Sequence, residues 1–337
     1  MSPPHIVLDE QTALNAFLPN LRTQLTTLGN RGGFSGAEIW RVYGEFAPLC
    51  LKAWPDPESN PQLLERMHAL MSRARQARLT FVPEIRARAD GQTWINSNGR
   101  YWDLTTWMPG QADFHQHPTP VRLAAASGAL ARIHAAWQPK SGSSGACPSL
   151  ARRLDALTDW NNLLATGWRY NANKTPQQSW RPLLARGWDL AVSHSQHLGV
   201  MLTPWHTKPV KLQPCIGDIW HDHILFEADQ VSGIIDYGAV RTDHPATDVG
   251  RLIGSLVADD EAGWTTALAA YRAVRALSWE EESLARLLDR SGAIVSLFNW
   301  LRWCGRGERT FADPDAVTKR LAALVERVEK WPRSEPV

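Results

Sequence analysis

A chain of 337 residues can hold one large domain or two ordinary ones, and its 44% hydrophobic and 21% charged residues suit a folded protein, excluding a disordered or fibrous one. Lysine and arginine total 36 against 34 aspartates and glutamates, and a net charge of +2 creates no field that selects nucleic acid or an anionic membrane. No run approaches the ~18 apolar residues of a spanning helix. The opening MSPPHIVLDE lacks the basic and apolar regions of a signal peptide, so a cytoplasmic protein with no nucleic-acid or membrane partner is expected. Cys50, Cys147, Cys215 and Cys304 lie far apart without a C-x-x-C pair, so reduced thiols are expected, not a zinc site or disulfides. Seventeen tryptophans are far above the usual share; most are expected in packing and a few along a cleft.

From Leu25 to about Thr106 short β-like runs alternate with turn signals. They read as strand LTTLG, a glycine-rich turn, strands EIWRVY and APLCLKAW, helix NPQLLERMHALMSRARQ, then strands PEIRARA, GQTWINS and YWDLTTW. MPGQ at 108–111 is a Pro-Gly breaker that reads as a hinge between lobes, followed by the loop FHQHPTP and the helix VRLAAASGALARIHAAW. KSGSSGACPS reads as a flexible surface loop, and LARRLDALTDWNNLLA and QSWRPLLARGWDLAVSHSQHL as helices. A β-rich interruption, IGDIWHDHILFEADQVSGIIDYG, precedes three closing helical stretches. No internal repeat is visible. The expected class is α+β, with a small antiparallel-sheet lobe at 1–106, a hinge at 107–111 and a larger helical lobe at 112–337.

Two carboxylates end neighbouring elements of the interruption: Asp218 follows Gly217 in a loop, and Asp236 ends the strand VSGIID just before Tyr237 and Gly238. Upstream, GNRGGFSGAEIWRV places glycines at 29, 32, 33 and 36 between two strands, where backbone can approach a phosphate closely. Lys52 stands in the next apolar strand, on the same face as Cys50 and Trp54 by period-two alternation. A lysine there is costly unless it meets an anion, and Glu65 on the following helix is the natural partner.

This succession resembles the aminoglycoside phosphotransferase and choline kinase superfamily, small-molecule relatives of protein kinases, from about Leu25 to Val328. The strongest stretch is IGDIWHDHILFEADQVSGIIDYGAVRTDHPATDVGRL, supported by GGFSGAEIWRV, TTWMPGQ and ALARIHA. The resemblance implies a two-lobe, protein-kinase-like fold and transfer of the γ-phosphate of ATP to a small-molecule hydroxyl. By position it implies Asp218 as the catalytic aspartate, Asp236 as the metal aspartate, and Lys52 paired with Glu65 on the α and β phosphates. It further implies nucleotide contacts from Gly32, Gly33, Phe34 and Ser35, adenine contacts from the backbone of Thr106, Trp107 and Met108, and Asp248 as the anchor of the catalytic loop.

Two positions depart from the pattern. Ile216 replaces a histidine that ties the loop to the following helix, and His223 replaces an asparagine metal ligand. An imidazole nitrogen suits softer ions than the oxygen Mg²⁺ prefers, so Mn²⁺ enters beside Mg²⁺ as an expected cofactor. These departures keep open a catalytically weak, kinase-like nucleotide-binding protein. A metal-dependent hydrolase using His221, Asp222 and His223 is the third reading. His115, His117 and His206 read as surface residues, Asp259, Asp260 and Glu261 as a solvated helix start, and Trp264, Trp300 and Trp303 as core or an aromatic wall for the acceptor.

Overall fold

The computed structural model describes residues 9–29, 36–55, 60–311 and 313–332. It divides into two compact units, Met1–Trp137 with His221–Val240 and Gln138–Trp220 with Arg241–Val337. This differs from the boundary read at residues 106–112, and backbone bonds give the reason. Gln111 and Phe226 exchange N–H···O bonds at 3.1 and 2.9 Å, and the Ile234 N–H reaches the Phe81 carbonyl at 2.8 Å, so residues 221–240 are stitched to the sheet-bearing unit.

The chain opens with α1 (Glu10–Phe17), β1 (Gln24–Gly29), β2 (Glu38–Tyr43), β3 (Leu49–Ala53), α2 (Pro61–Gln76), β4 (Trp94–Ser97), β5 (Arg100–Thr106) and α3 (Pro120–Trp137). Next come β6 (Ser143–Gly145), α4 (Pro148–Ala165), α5 (Arg181–His206) and β7 (Val210–Cys215), then the hairpin β8 (Ile224–Glu227) and β9 (Gln230–Ile234). β10 (Arg241–Asp243), α6 (Ala246–Val257), α7 (Glu261–Arg272), α8 (Trp279–Trp300), a π turn at Leu301–Gly305 and α9 (Pro314–Glu329) follow.

In the first unit the five strands form an antiparallel sheet in the order β1-β2-β3-β5-β4. Alternation on β3 buries Leu49, Leu51 and Ala53 on one face with Trp40, Val42, Trp102 and Leu104, and Ala13, Leu14 and Phe17 of α1 complete that core. Cys50 and Lys52 therefore point to the other face. α2 begins where the Asn60 side chain accepts the Leu63 N–H and Pro61 takes the first turn; it buries Leu64, Met67, Leu70, Met71 and Ala74 at helical spacing. The expected strand at 83–89 is instead an isolated bridge between Ile85 and Thr105. Pro83 has no N–H to extend a ladder; the Glu84 carbonyl and Arg86 N–H bond to the β5 backbone, and the Glu84 N–H donates to the Thr106 hydroxyl instead of a backbone carbonyl.

In the second unit β7 stands between β10 and β6 in a three-stranded sheet. Part of the expected loop KSGSSGACPS is thus an edge strand, with Ser143–Gly145 paired to Leu212–Val210. Four helices close the described chain instead of three. α8 opens with a full capping box between Ser278 and Glu281, and α6 crosses it so closely that a Cβ at Gly250 would strike the Ala285 carbonyl. Among the described residues no helix is long and apolar enough to cross a membrane.

Candidate active site

Lys52 of β3 and Asp236, just beyond β9, meet in the first unit: Nζ lies 2.9 Å from Oδ1. The β3–β5 register sets Lys52 opposite Asp103. Burial works against the lysine's charge, yet Asp236, and more weakly Asp103, hold its pKa above the ordinary value. Lys52 in turn pulls Asp236 down to about 2, against burial and helped by His223. Asp236 adopts φ 62°, a left-handed conformation that a non-glycine residue keeps only where the surroundings enforce it. The expected pairing of Lys52 with Glu65 is not made. Glu65 is exposed on α2 and forms no ion pair among the described residues. The side chain that α2 turns toward β5 is His68, whose Nε2 lies 3.0 Å from Asp103 Oδ2.

His223 Nε2 stands 3.7 Å from the second carboxylate oxygen of Asp236. Two donors at that separation can share one ion at ~2.1 Å from each, so the pair fits a divalent metal of intermediate softness. Among the described residues no group of three metal-ligating side chains includes His221, Asp222 or His223, which leaves the hydrolase reading without a site. His115 and His117 are exposed, as is His206.

At the stretch read as a hinge, Thr106 N–H donates to the Glu84 carbonyl and Trp107 N–H to the Pro48 carbonyl, both at 2.9 Å. Of the three backbone positions expected to meet adenine, these two amides are committed, and the Met108 N–H alone has no partner among the described residues. Pro109 has no N–H, and Gly110 follows at φ 92°, where a Cβ would collide with Phe226 and Ser232 of the β8–β9 hairpin. Gly32, Gly33, Phe34 and Ser35 lie outside the described residues.

In the second unit Asp218 forms an ion pair with Arg251 of α6. The loop ahead of it is fixed by Asp248, buried in the first turn of α6: its two carboxylate oxygens accept the Ile216 and Gly217 N–H groups at 2.6 and 2.8 Å. Gly217 supplies φ 86°. Its carbonyl accepts from Arg241 Nη2 at 2.9 Å, while Arg241 Nε also reaches Asp243 at 3.5 Å. Ile216 is fully buried in the apolar core. The tie between loop and helix is therefore made by main-chain donors, and it does not need a histidine side chain at 216. Sequence reading placed Trp54 on the face of Lys52 but missed Asp103 and His68 around it, and Arg241 and Asp243 behind Gly217.

The acidic run at 259–261 is not uniformly solvated: Asp260 caps α7, but Asp259 pairs with Arg327 and accepts Trp331 Nε1 at 2.8 Å. Trp264 and Trp300 are buried, the first bonding the Ala258 carbonyl and the second packing edge-on against Trp303, so these rings serve the core. A cavity of about 340 Å³ lies between α4 and α8, lined by Asp155, Asp159, Arg152, Arg302, Asn299 and the buried Trp160, among others.

A lysine-bearing antiparallel sheet with an Asp-Tyr-Gly turn, and a helical unit whose buried aspartate holds an Asp-bearing loop, are the parts that the sequence resemblance led one to expect. The sequence profile of the phosphotransferase enzyme family, APH, matches residues 26–287, and the chain belongs to that family. The homoserine kinase of Brucella anthropi is 26% identical over 270 residues, covering 77% of this chain and 74% of its own. Among solved structures, spectinomycin phosphotransferase in complex with ADP and spectinomycin superposes with a TM-score of 0.70 at 10% identity, over 96% of this chain and 98% of that one. Amicoumacin kinase, in complex with AMP-PNP, Ca²⁺ and Ami, superposes with a TM-score of 0.63 at 12% identity over 96% of this chain and 93% of that one. The chain is an ATP-dependent phosphotransferase acting on a hydroxyl of a small molecule.

Proposed function

We propose that Lys52, Asp236 and Asp218 carry this transfer and that the acceptor is a small hydroxy amino acid of the homoserine kind. The observation that supports the assignment most is the Lys52–Asp236 pair, a cation and an anion from sequence-distant segments held 2.9 Å apart. Such a pair prepares both charges that a bound nucleotide needs: Lys52 meets phosphate oxygens, and Asp236 faces the counter-ion. A divalent ion, when bound, supplies charge neutralisation on the phosphates, with Asp236 and His223 as its protein ligands; Mg²⁺ and Mn²⁺ both suit this set.

Asp218, held by the anchored loop and oriented by Arg251, accepts the hydrogen bond of the acceptor hydroxyl and takes its proton as the phosphoryl group moves. The Met108 N–H is the adenine contact in this scheme. The homoserine kinase likeness supports an amino-acid acceptor. ATP consumption with homoserine and a set of hydroxylated amines tests the reading. Asp218→Asn is expected to lower kcat by orders of magnitude while nucleotide affinity stays within a few-fold. Full activity in that variant removes the catalytic assignment, and turnover of other alcohols with none of homoserine removes the acceptor class.

A further inference from the structure

The ammonium of Lys52 lies over an aromatic ring: Nζ is 3.9 Å from the centroid of Trp54. Trp54 is 6% exposed, so this cation–π contact is largely shielded from water, where such contacts are strongest. The ring cannot swing away. Its backbone N–H donates to the Tyr101 carbonyl at 2.9 Å, and its carbonyl accepts from Arg100 Nε at 3.0 Å. Its Nε1 donates to Asp103 Oδ2 at 3.0 Å. Asp103, 3% exposed, is held in turn by His68 of α2, whose Nδ1 stands 2.8 Å from Thr93 Oγ1. On its other edge Trp54 abuts the turn after Asp236, where a Cβ at Gly238 would come within 2.6 Å of Cζ3.

We infer that Trp54 is a positioning residue for Lys52, and that α2 acts on the lysine through His68, Asp103 and Trp54 in place of a helix glutamate. An ammonium has three donors. Asp236 takes one, and the ring beneath confines the others to the side away from the sheet, so the lysine is aimed before any ligand arrives. The buried Asp103 carboxylate holds the indole by its only polar atom, which gives Asp103 and His68 an influence on Lys52 without touching it. The inference rests on the reading that Lys52 contacts nucleotide phosphates.

Calorimetric binding of AMP-PNP with Mg²⁺ to the full chain tests it, using the parent, Trp54→Leu, Trp54→Phe, Lys52→Ala and the Lys52→Ala/Trp54→Leu pair, with thermal melts to verify folding. Trp54→Leu is expected to weaken binding about 3- to 30-fold. Trp54→Phe keeps a ring and should recover most of that loss. In the Lys52→Ala background, where no cation remains to be aimed, Trp54→Leu should have no further effect. An equal loss in both backgrounds overturns the inference, because Trp54 then merely supports the sheet. Should the leucine variant not fold, Trp54→Met, which also removes the ring while keeping bulk, gives the same cycle in the two backgrounds, and an equal loss in both again overturns it. AMP-PNP affinity unchanged in Lys52→Ala is a separate result that rejects the nucleotide reading of Lys52, and the inference with it.

Discussion

Asp248 grips the peptide ahead of Asp218 with both of its carboxylate oxygens, one on the Ile216 N–H and one on the Gly217 N–H. The carboxylate is fully buried in the first turn of α6, where the helix dipole favours its charge and the two amides are otherwise unsatisfied. This bracket sets the position of Gly217, and so of the loop residue that follows.

Asp248→Asn leaves one acceptor for two donors and turns an amide NH₂ toward an N–H. The expected cost is about 2 kcal/mol of stability, read as a lower urea midpoint, with loss of activity as the loop loosens. Ile216→His should not improve either property, since the tie already exists and an imidazole would enter a fully buried apolar place. A gain in activity from Ile216→His contradicts this account of the loop.

The Lys52–Asp236 pair has a pH signature with a definite sign. The folded-state pKa of Asp236 is depressed to about 2, mainly by Lys52, so the pair contributes stability above the unfolded value of ~3.9 and loses it as pH falls toward 2. Lys52→Met removes the main cause of that depression. The stability difference between parent and variant, from urea unfolding at pH 7, 5, 4 and 3, is expected to be constant down to about pH 5 and then to shrink. A difference that stays the same at pH 3 shows that the carboxylate owes its ionisation to something other than Lys52.

His223 bears on the choice of metal. With Nε2 on the Asp236 side and 3.7 Å from its oxygen, the imidazole offers a nitrogen to an ion held by that carboxylate. His223→Asn replaces the nitrogen with an oxygen or amide donor, so activity with Mg²⁺ should rise relative to Mn²⁺. Metal titrations of the two proteins decide it, and superimposable Mg²⁺ and Mn²⁺ curves exclude His223 as a ligand.

Much of the site was legible along the chain because its marks are local. Alternation alone put Lys52 on the face with Cys50 and Trp54, away from the apolar side of β3, and a Gly-Asp loop eighteen positions before an Asp-Tyr-Gly turn needs no knowledge of distant partners. The same holds for α2, whose Asn60 cap, Pro61 and 3.6-residue spacing are short-range signals.

What Lys52 pairs with was decided by tertiary structure. Helical spacing along α2 admits either Glu65 or His68 as the residue facing the sheet, and the register of β3 against β5 set Asp103 opposite Lys52, where His68 and the Trp54 indole both reach it. Register is a long-range choice between strands some fifty residues apart, scored by the packing of Leu51 and Leu104 on the opposite face, so no single segment encodes it. The same reason hid the strand pairing of β6 with β7 and the backbone bonds that tie residues 221–240 to the sheet-bearing unit. Hydrogen bonds between sequence-distant backbones carry no side-chain signature, and only the folded chain brings them together.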